Sequence, residues 1–204
     1  MEKITRVVLD TSIFVSPESR YCFGETPFLA LSNFLDFLKD KKNVACLIPP
    51  SVHEELMKFI EEKIPVEKSI RLEKKPPSSY ETPITALFLY EFIEEMRNRV
   101  NKGLRIAEKY ARRGLAGGKE EEIVKAVREE YRVALREGIL DSKEDFDLIL
   151  LAKELNCYLA TSDNGLIKWA HKLGIACLSA PELKELISQA AGIKSQTTDQ
   201  KPDE

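Results

Sequence analysis

Histidine and cysteine are scarce in this sequence, and their spacing does not favour a zinc site, a disulfide framework or general-base catalysis. The two histidines, His53 and His171, are isolated, so packing or surface positions are favoured over general-base catalysis. The four cysteines are Cys22, Cys46, Cys157 and Cys177. They form no CxxC pair, and three of them lie in apolar runs. We therefore expect core thiols in a reducing compartment rather than a zinc site or a disulfide framework.

Long hydrophobic runs and a strong basic charge are also absent. No apolar stretch approaches membrane-spanning length and the N-terminus lacks a signal-peptide pattern, so we expect a cytoplasmic protein with no membrane partner. The net charge of -3 argues against a uniformly basic nucleic-acid binder. Any contact with a polyanion must therefore use locally clustered charge. The 204 residues, with 43% hydrophobic content, suffice for one core with an appended subdomain.

Four short apolar runs separated by helical patterns indicate the fold class. The runs span residues 4–9, 44–48, 157–160 and 175–178. Amphipathic stretches such as DFDLILLAKEL follow the helical period between them. Continuous apolar strands that alternate with helices are typical of a parallel sheet buried on both faces. The sequence therefore predicts an α/β fold, with a parallel sheet and helices on both faces.

Residues 64–137 interrupt this alternation. The loop-like EKKPPSSYETP precedes two long amphipathic helical patterns, which are joined by GLAGG. We interpret this segment as an inserted helical hairpin, so that the α/β core consists of residues 1–63 and 138–187. The polar tail, residues 188–204, is expected to be disordered.

Acidic residues follow two of the predicted strands. Asp10 ends the run RVVLD, and Asp163 ends the segment CYLATSD. Because the carboxyl ends of parallel strands meet at one edge of a sheet, we expect both side chains at one crevice. Asp141 and Asp145 lie about one turn apart on one face of the predicted helix before the later strand. Like charges at that spacing repel unless a cation lies between them.

A further carboxylate follows the second strand, in the segment PPSVHEELMKF. Ser51 and Glu54 match a capping box, which gives Glu54 a structural role and leaves Glu55 free to face the crevice. Thr11 and Ser12 would either cap the next segment or hold Asp10 and a metal-bound water by hydrogen bonds.

Together these carboxylates would form a cluster of hard oxygen ligands, without imidazole or thiolate. The candidate metal ligands are Asp10, Glu55, Asp141, Asp145 and Asp163, and all except Glu55 are also candidate catalytic residues. Oxygen ligands suit Mg²⁺ or Mn²⁺, which bridge to phosphate oxygens. The chemistry implied is metal-assisted phosphodiester hydrolysis.

Several of these residues also have a purely structural interpretation. Asp141 or Ser142 could cap the helix, with Asp145 completing a capping box. Asp163, in TSDNG, could be an ordinary turn residue. Asp147 lies two residues beyond Asp145, so it faces elsewhere and is interpreted as solvated or structural. The convergence of several acidic residues on one sheet edge favours the metal site.

Four segments of the sequence resemble the acidic signature of the PIN-domain nucleases. They are, in order, VVLDTSIF, SVHEEL, DFDLILLAKEL and ATSDNGL. The resemblance covers the α/β core and implies a PIN-like fold that binds Mg²⁺ or Mn²⁺ and cleaves RNA. It implies that Asp10, Glu55, Asp145 and Asp163 are the ligands of this metal ion.

The additional Asp141 and the inserted hairpin are similar to those of the minimal protein-only ribonuclease P group. This resemblance implies a metal-dependent endoribonuclease that removes the 5′ leader of precursor tRNA without a catalytic RNA. It also implies a homo-oligomer assembled from dimers through the inserted helices. Two other functions stay open: a PIN-type nuclease that cuts other RNA or structured DNA, and a noncatalytic RNA-binding partner of an RNA repair enzyme. The intact acidic set argues against the noncatalytic one.

The inserted hairpin has the local basic charge that the net charge conceals. Residues 97–136 contain twelve basic and six acidic residues. The candidate RNA-binding residues are Arg97, Arg105, Arg112, Arg113, Arg128 and Arg132. Stripes of arginine along a helix suit a phosphate backbone, although a solvated face with intrahelical Glu/Arg pairs is the alternative for the second helix.

The first inserted helix also contains too many apolar residues for an exposed hairpin. They are Leu87, Phe88, Leu89, Phe92, Ile93, Met96, Val100 and Leu104. We expect them to pack against the partner helix, the core or another subunit.

Proteins recognise structured RNA by its shape and backbone. The inserted hairpin, called the arm, would therefore hold the tRNA elbow at a fixed distance from the acidic crevice.

Overall fold

The computed structural model describes residues 4–60, 62, 64–136, 140 and 142–191. The strands are β1 (Thr5–Leu9), β2 (Val44–Ile48), β3 (Leu72–Lys74), β4 (Tyr158–Ala160) and β5 (Cys177–Leu178). The helices are α1 (Ser12–Val15), α2 (Pro17–Arg20), α3 (Pro27–Phe37), α4 (Pro50–Lys58), α5 (Val66–Ser69), α6 (Ala86–Leu115), α7 (Glu120–Arg136), α8 (Lys143–Glu154), α9 (Asn164–Lys172) and α10 (Ala180–Ala191). In this part of the chain, no helix is both long enough and apolar enough to cross a membrane.

The five strands form one parallel sheet in the order β3-β2-β1-β4-β5. The last three residues of the central strand β1, Val7, Val8 and Leu9, are fully buried. Because neighbouring residues of a strand point to opposite faces, both faces of the sheet are covered. The predicted α/β class, with a parallel sheet and helices on both faces, is confirmed.

The sheet has a topological switch point between β1 and β4. From β1 the chain passes to β2 on one side, and it later returns to β4 on the other side. In open α/β sheets, ligands bind outside the carboxyl ends of the strands at such a point. The crevice that the sequence predicts for Asp10 and Asp163 therefore lies where the topology favours a site.

Two elements differ from the sequence prediction. Strand β3 lies inside residues 64–137, the predicted insertion, and pairs with β2 through Cys46 and Leu72. Only Leu72 of this edge strand is buried, so it has no continuous apolar run to mark it. Helix α10 continues to Ala191, because Leu183 and Ile187 bury the same helical face, so residues 188–191 are helical rather than part of a tail. The rest of the predicted tail, residues 192–204, lies outside the described residues.

The inserted helices α6 and α7 form an antiparallel hairpin with its own small core. Ile106 and Tyr110 of α6 pack with Ala134 of α7. Arg99 is buried beside them, and its Nη1 donates to the carbonyl oxygen of Ala134 at 3.2 Å. Gly103 lets the ring of Tyr131 approach, since a Cβ at this position would lie 2.6 Å from the ring. The predicted helical hairpin is thus present.

An aromatic cluster joins the base of α6 to the α/β core. Phe88 and Phe92 contact the indole of Trp169 in α9 edge-on, with centroid distances of 5.2 and 5.7 Å. Phe92 also contacts Phe146 of α8 at 5.6 Å. Helices α8 and α9 both begin at acidic segments of the candidate site, so the arm is anchored directly on the elements that carry that site.

Candidate active site

Asp10 lies at the carboxyl end of β1, and its backbone N–H donates to the carbonyl oxygen of Ala160 in β4 at 3.0 Å. Its carboxylate is only 6% exposed and accepts three hydroxyl hydrogen bonds. Ser12 and Thr161 donate to Oδ2 at 2.5 and 2.6 Å, and Thr11 donates to Oδ1 at 3.3 Å. Burial raises the pKa of Asp10, while the hydrogen bonds oppose that shift. These hydroxyls fix the carboxylate in place.

The same hydroxyls link the ends of β1 and β4. Ser12 Oγ accepts the backbone N–H of Ser162 at 2.9 Å, and Thr161 Oγ1 accepts that of Asp163 at 3.0 Å. The loop that carries Asp163 is thereby held against the residues that hold Asp10. Thr161, which is 1% exposed, is not among the residues that the sequence predicts for the site. Its place between the buried end of a strand and Asp163, in ATSD, is the signal that could have identified it.

Asp163 is the N-cap of α9, as the structural interpretation of TSDNG allows. Its Oδ1 accepts the backbone N–H groups of Gly165 and Leu166 at 2.6 and 3.0 Å. Both cap bonds use the same oxygen, and Oδ2 takes no hydrogen bond from the described residues. The residue is exposed, so Oδ2 is available to a ligand.

Asp145 lies half-buried in the first turn of α8. Ser142 is the N-cap, since its Oγ accepts the backbone N–H of Asp145 at 3.0 Å. A carboxylate in the first turn is also favoured by the positive end of the helix dipole. Asp141 lies outside the described residues, so its place beside Asp145 stays a prediction.

Glu55, rather than Glu54, points from α4 toward the candidate site. Glu55 is half-buried, whereas Glu54 is exposed. Burial raises the pKa of Glu55, and the negative charges of Asp10 and Glu144 raise it further. The carboxylate of Glu55 therefore lies within electrostatic reach of Asp10. Glu144 is a second neighbour of the site that is not among the predicted residues, and its position beside Asp145 in the first helical turn is the signal that could have identified it.

The predicted capping box of Ser51 and Glu54 is wrong. Helix α4 begins at Pro50 and has no side-chain cap hydrogen bond. Proline suits the first helical position, where its missing N–H would have no intrahelical partner. The hydroxyl of Ser51 donates instead to Oδ2 of Asp147 at 2.5 Å. Asp147, which the sequence indicates to be solvated or structural, thus has a structural contact that connects α8 to α4.

The donor chemistry of this edge fits a hard divalent cation. Asp10 and Glu55 are mutually repelling oxygen donors, and a cation between them would relieve that repulsion. Among the residues that the structure describes, no three His, Cys, Asp or Glu side chains are grouped tightly enough to enclose a metal ion. Mg²⁺ typically binds through one or two carboxylates and keeps several waters, so an open site of this kind is compatible with it.

The six arginines that the sequence predicts to contact RNA are all exposed. Four lie on α6 and two on α7. Intrahelical pairing, the alternative considered for α7, occurs between Arg132 and Glu129 at 3.9 Å. Lys109 and Glu130 pair across the hairpin at 2.8 Å, which leaves that lysine less available to a phosphate.

Comparison with known proteins assigns the class. The family described as PINc domain ribonuclease matches residues 6–191. The chain therefore belongs to the PINc domain ribonucleases, which are generally dependent on divalent metal ions. It is 46% identical to the RNA-free ribonuclease P of Thermodesulfovibrio yellowstonii, over 93% of this chain and 97% of that protein. The RNA-free ribonucleases P of Pyrococcus horikoshii and Pyrococcus abyssi are each 44% identical, over 90% of this chain and 92% of theirs.

Proposed function

We propose that this protein is an RNA-free ribonuclease P, a metal-dependent endoribonuclease that removes the 5′ leader of precursor tRNA. The observation that carries the proposal is the buried Asp10 carboxylate at the switch point, held by three hydroxyls and facing Glu55. The comparisons support the substrate class, because relatives that align along nearly their whole length are named for this activity. The cytoplasmic location expected from the sequence stays a prediction.

The chain's own residues would hold and orient the reacting groups. The proposed ligands of Mg²⁺ or Mn²⁺ are Asp10, Glu55, Asp141, Asp145 and Asp163. A bound ion supplies an activated water and stabilises the charge on the phosphoryl oxygens. Thr11, Ser12 and Thr161 hold the Asp10 carboxylate, and the cap bonds of Asp163 orient its free oxygen.

Cleavage of a 5′-labelled precursor tRNA tests the proposed activity. With Mg²⁺, the wild type should make a single cut at the mature 5′ end, and Asp145→Asn should not. Asp40→Asn, which removes one carboxylate from an exposed turn, is the matched control and should cleave normally. Cuts at many positions, or equal cleavage of an unrelated structured RNA, would favour the broader PIN-type nuclease. Binding without any cleavage would favour the noncatalytic partner.

We infer that the α6–α7 arm binds the RNA backbone. Helix α6 has 30 residues and is therefore about 45 Å long, with Arg112 and Arg113 exposed in its last turn. This end of α6 is separated from the aromatic cluster at its base by most of the helix. A cationic tip at a fixed distance from the acidic residues suits a substrate that is recognised by shape.

A double Arg112→Ala, Arg113→Ala variant should raise KM for precursor tRNA more than it lowers kcat. Each lost phosphate contact should also reduce the slope of log KM against log salt by roughly one. The matched control is Lys41→Ala with Lys42→Ala, a neighbouring basic pair that precedes β2 at the opposite sheet edge. A variant that keeps KM and loses kcat would contradict the assignment of RNA binding to the arm.

We infer that the protein forms a homo-oligomer through the inserted helices. Of the eight apolar residues expected to be covered, Phe88 and Phe92 pack on the core and the other six are at least partly solvent-facing. Five of these six follow one face of α6 and are called the apolar stripe: Leu89, Ile93, Met96, Val100 and Leu104, each 42 to 63% exposed. A second copy of the same helix offers a matching apolar surface. Assembly from dimers stays a prediction.

A further inference from the structure

We propose that Ser51 and Asp147 are positioning residues, whose hydrogen bond holds α4 against α8 and so keeps Glu55 beside Asp10, where the two carboxylates would share a divalent cation. The inference deepens the proposed function, on which it rests. Neither residue is among the predicted metal ligands. The structure brings them together although they are 96 residues apart in sequence.

The bond lies one helical turn away from Glu55 on α4 and from Glu144 on α8. Ser51 precedes Glu55 by four residues on α4, so the two share a face. Asp147 follows Glu144 by three residues on α8, so these two also share a face. Ser51 and Asp147 therefore contact each other at one turn of the interface between the helices. Glu55 and Glu144, which interact electrostatically, lie one turn further along the same interface.

Electrostatic repulsion opposes the contact between the helices at the turn that contains Glu55 and Glu144. The negative charges of Asp10 and Glu144 both repel the carboxylate of Glu55, and this repulsion favours movement of α4 away from the site. The hydroxyl–carboxylate bond opposes this movement. It is charge-assisted, half-buried and 2.5 Å long, which places it among the stronger hydrogen bonds in proteins.

A bond of this kind affects metal binding without touching the metal. If α4 is already held beside α8, little reorganisation is needed when an ion recruits Glu55. Groups that orient metal ligands in this way typically change metal affinity by 10 to 100-fold. Loss of the bond should therefore weaken ion binding while the ligands themselves are unchanged.

Binding of Mn²⁺ without RNA is the measurement, followed through the electron paramagnetic resonance signal of the free ion. Ser51→Ala should weaken Mn²⁺ binding by about tenfold, and Ser51→Thr, which keeps the hydroxyl, should restore it. Asp147→Ala should weaken it similarly, and the double variant should add little, because both changes break one bond. Ser69→Ala is the matched control, since that hydroxyl donates to the carbonyl oxygen of Pro65 in its own segment.

The Asp147→Asn variant separates positioning from direct ligation. Asparagine keeps an oxygen that can accept from Ser51, so under the proposal this variant should bind Mn²⁺ better than Asp147→Ala does. If Asp147→Asn and Asp147→Ala lose binding equally while Ser51→Ala binds as the wild type does, Asp147 acts as a ligand and the proposal fails. Circular dichroism verifies that each variant is folded. If the Asp147 variants do not fold, the Mn²⁺ affinities of Ser51→Ala and Ser51→Thr are compared instead, and equal affinities would overturn the positioning role.

The inference and the proposed function fail in different ways. Wild-type protein that binds Mn²⁺ yet leaves precursor tRNA intact would overturn the proposed function, and the positioning role would still be decided by the Ser51 variants. Wild-type protein that cleaves precursor tRNA, with Ser51→Ala binding Mn²⁺ equally well, would overturn the positioning role alone. A wild type that binds no Mn²⁺ would overturn both.

Discussion

An Asp10→Asn variant is expected to fold normally and to lose cleavage of precursor tRNA by about a thousandfold or more. Asparagine has the shape of aspartate and can still accept hydrogen bonds from Ser12 and Thr161, so the end of β1 should keep its conformation. What it lacks is the charge that would bind the ion. Metal stabilisation of the transition state is worth several kcal/mol, and each 1.36 kcal/mol corresponds to a factor of ten in rate.

The stability of the same variant should change in the opposite direction. Burial raises the pKa of Asp10, so at neutral pH the ionised carboxylate makes folding less favourable than it would be with a neutral group. In EDTA, Asp10→Asn should therefore unfold at the same temperature as the wild type or at a higher one. Added Mg²⁺ should raise the unfolding temperature of the wild type, because the ion binds only the folded state, and should leave that of the variant nearly unchanged.

Single-turnover cleavage and thermal unfolding with and without Mg²⁺ provide the two measurements. Asp40→Asn again serves as the control for the loss of one carboxylate, and it should respond to Mg²⁺ as the wild type does. An Asp10→Asn variant that cleaves within tenfold of the wild-type rate would show that this residue is not needed to bind the ion. A variant that unfolds at a much lower temperature in EDTA would show that the charge of Asp10 stabilises the fold.

The parallel sheet and Asp10 could be predicted from the sequence because their signals are local. A strand buried on both faces has a continuous apolar run, and the residue that follows such a strand must lie at the sheet edge. Asp10 satisfies both conditions within six residues of sequence. Strand β3 carries no such signal, because an edge strand with one buried residue needs no apolar run.

Contacts between distant segments could not be predicted in the same way. Ser51 matches a cap by its spacing to Glu54, yet prolines begin the helix and the hydroxyl donates across to α8. Asp147 faces away from Asp145 on a helical wheel, and that is the direction in which α4 lies. Local spacing gives the face of a helix on which a residue lies, but the element that packs against that face is determined by the tertiary structure.

Placing glutamate at Val100 is expected to dissociate the oligomer without unfolding the chain. Val100 is 63% exposed in the single chain, so the change should cost the fold little. In an assembly that covers the apolar stripe, the same glutamate would be an unpaired buried charge, which costs about 3 to 5 kcal/mol. A two-fold interface presents the position twice, so the effect on association should exceed that of one substitution.

Sedimentation velocity of the wild type and of Val100→Glu checks this expectation. Asn101→Glu is the matched control: it makes the same change in net charge at the next residue, about 100° around the helix from the apolar stripe. It should sediment as the wild type does. A wild type that is monomeric, or a Val100→Glu variant of unchanged size, would contradict assembly through α6.

The cleavage activity of dissociated Val100→Glu protein then separates two arrangements of the arm. The described candidate ligands lie in the α/β core, away from the stripe, so each dissociated chain should keep its proposed metal site and its response to Mg²⁺. If KM for precursor tRNA is also unchanged, the arm of each chain serves its own site. If KM rises while the response to Mg²⁺ stays the same, the arginines that hold the RNA belong to a neighbouring copy, and the oligomer is what sets the distance between the arm and the cleaved bond.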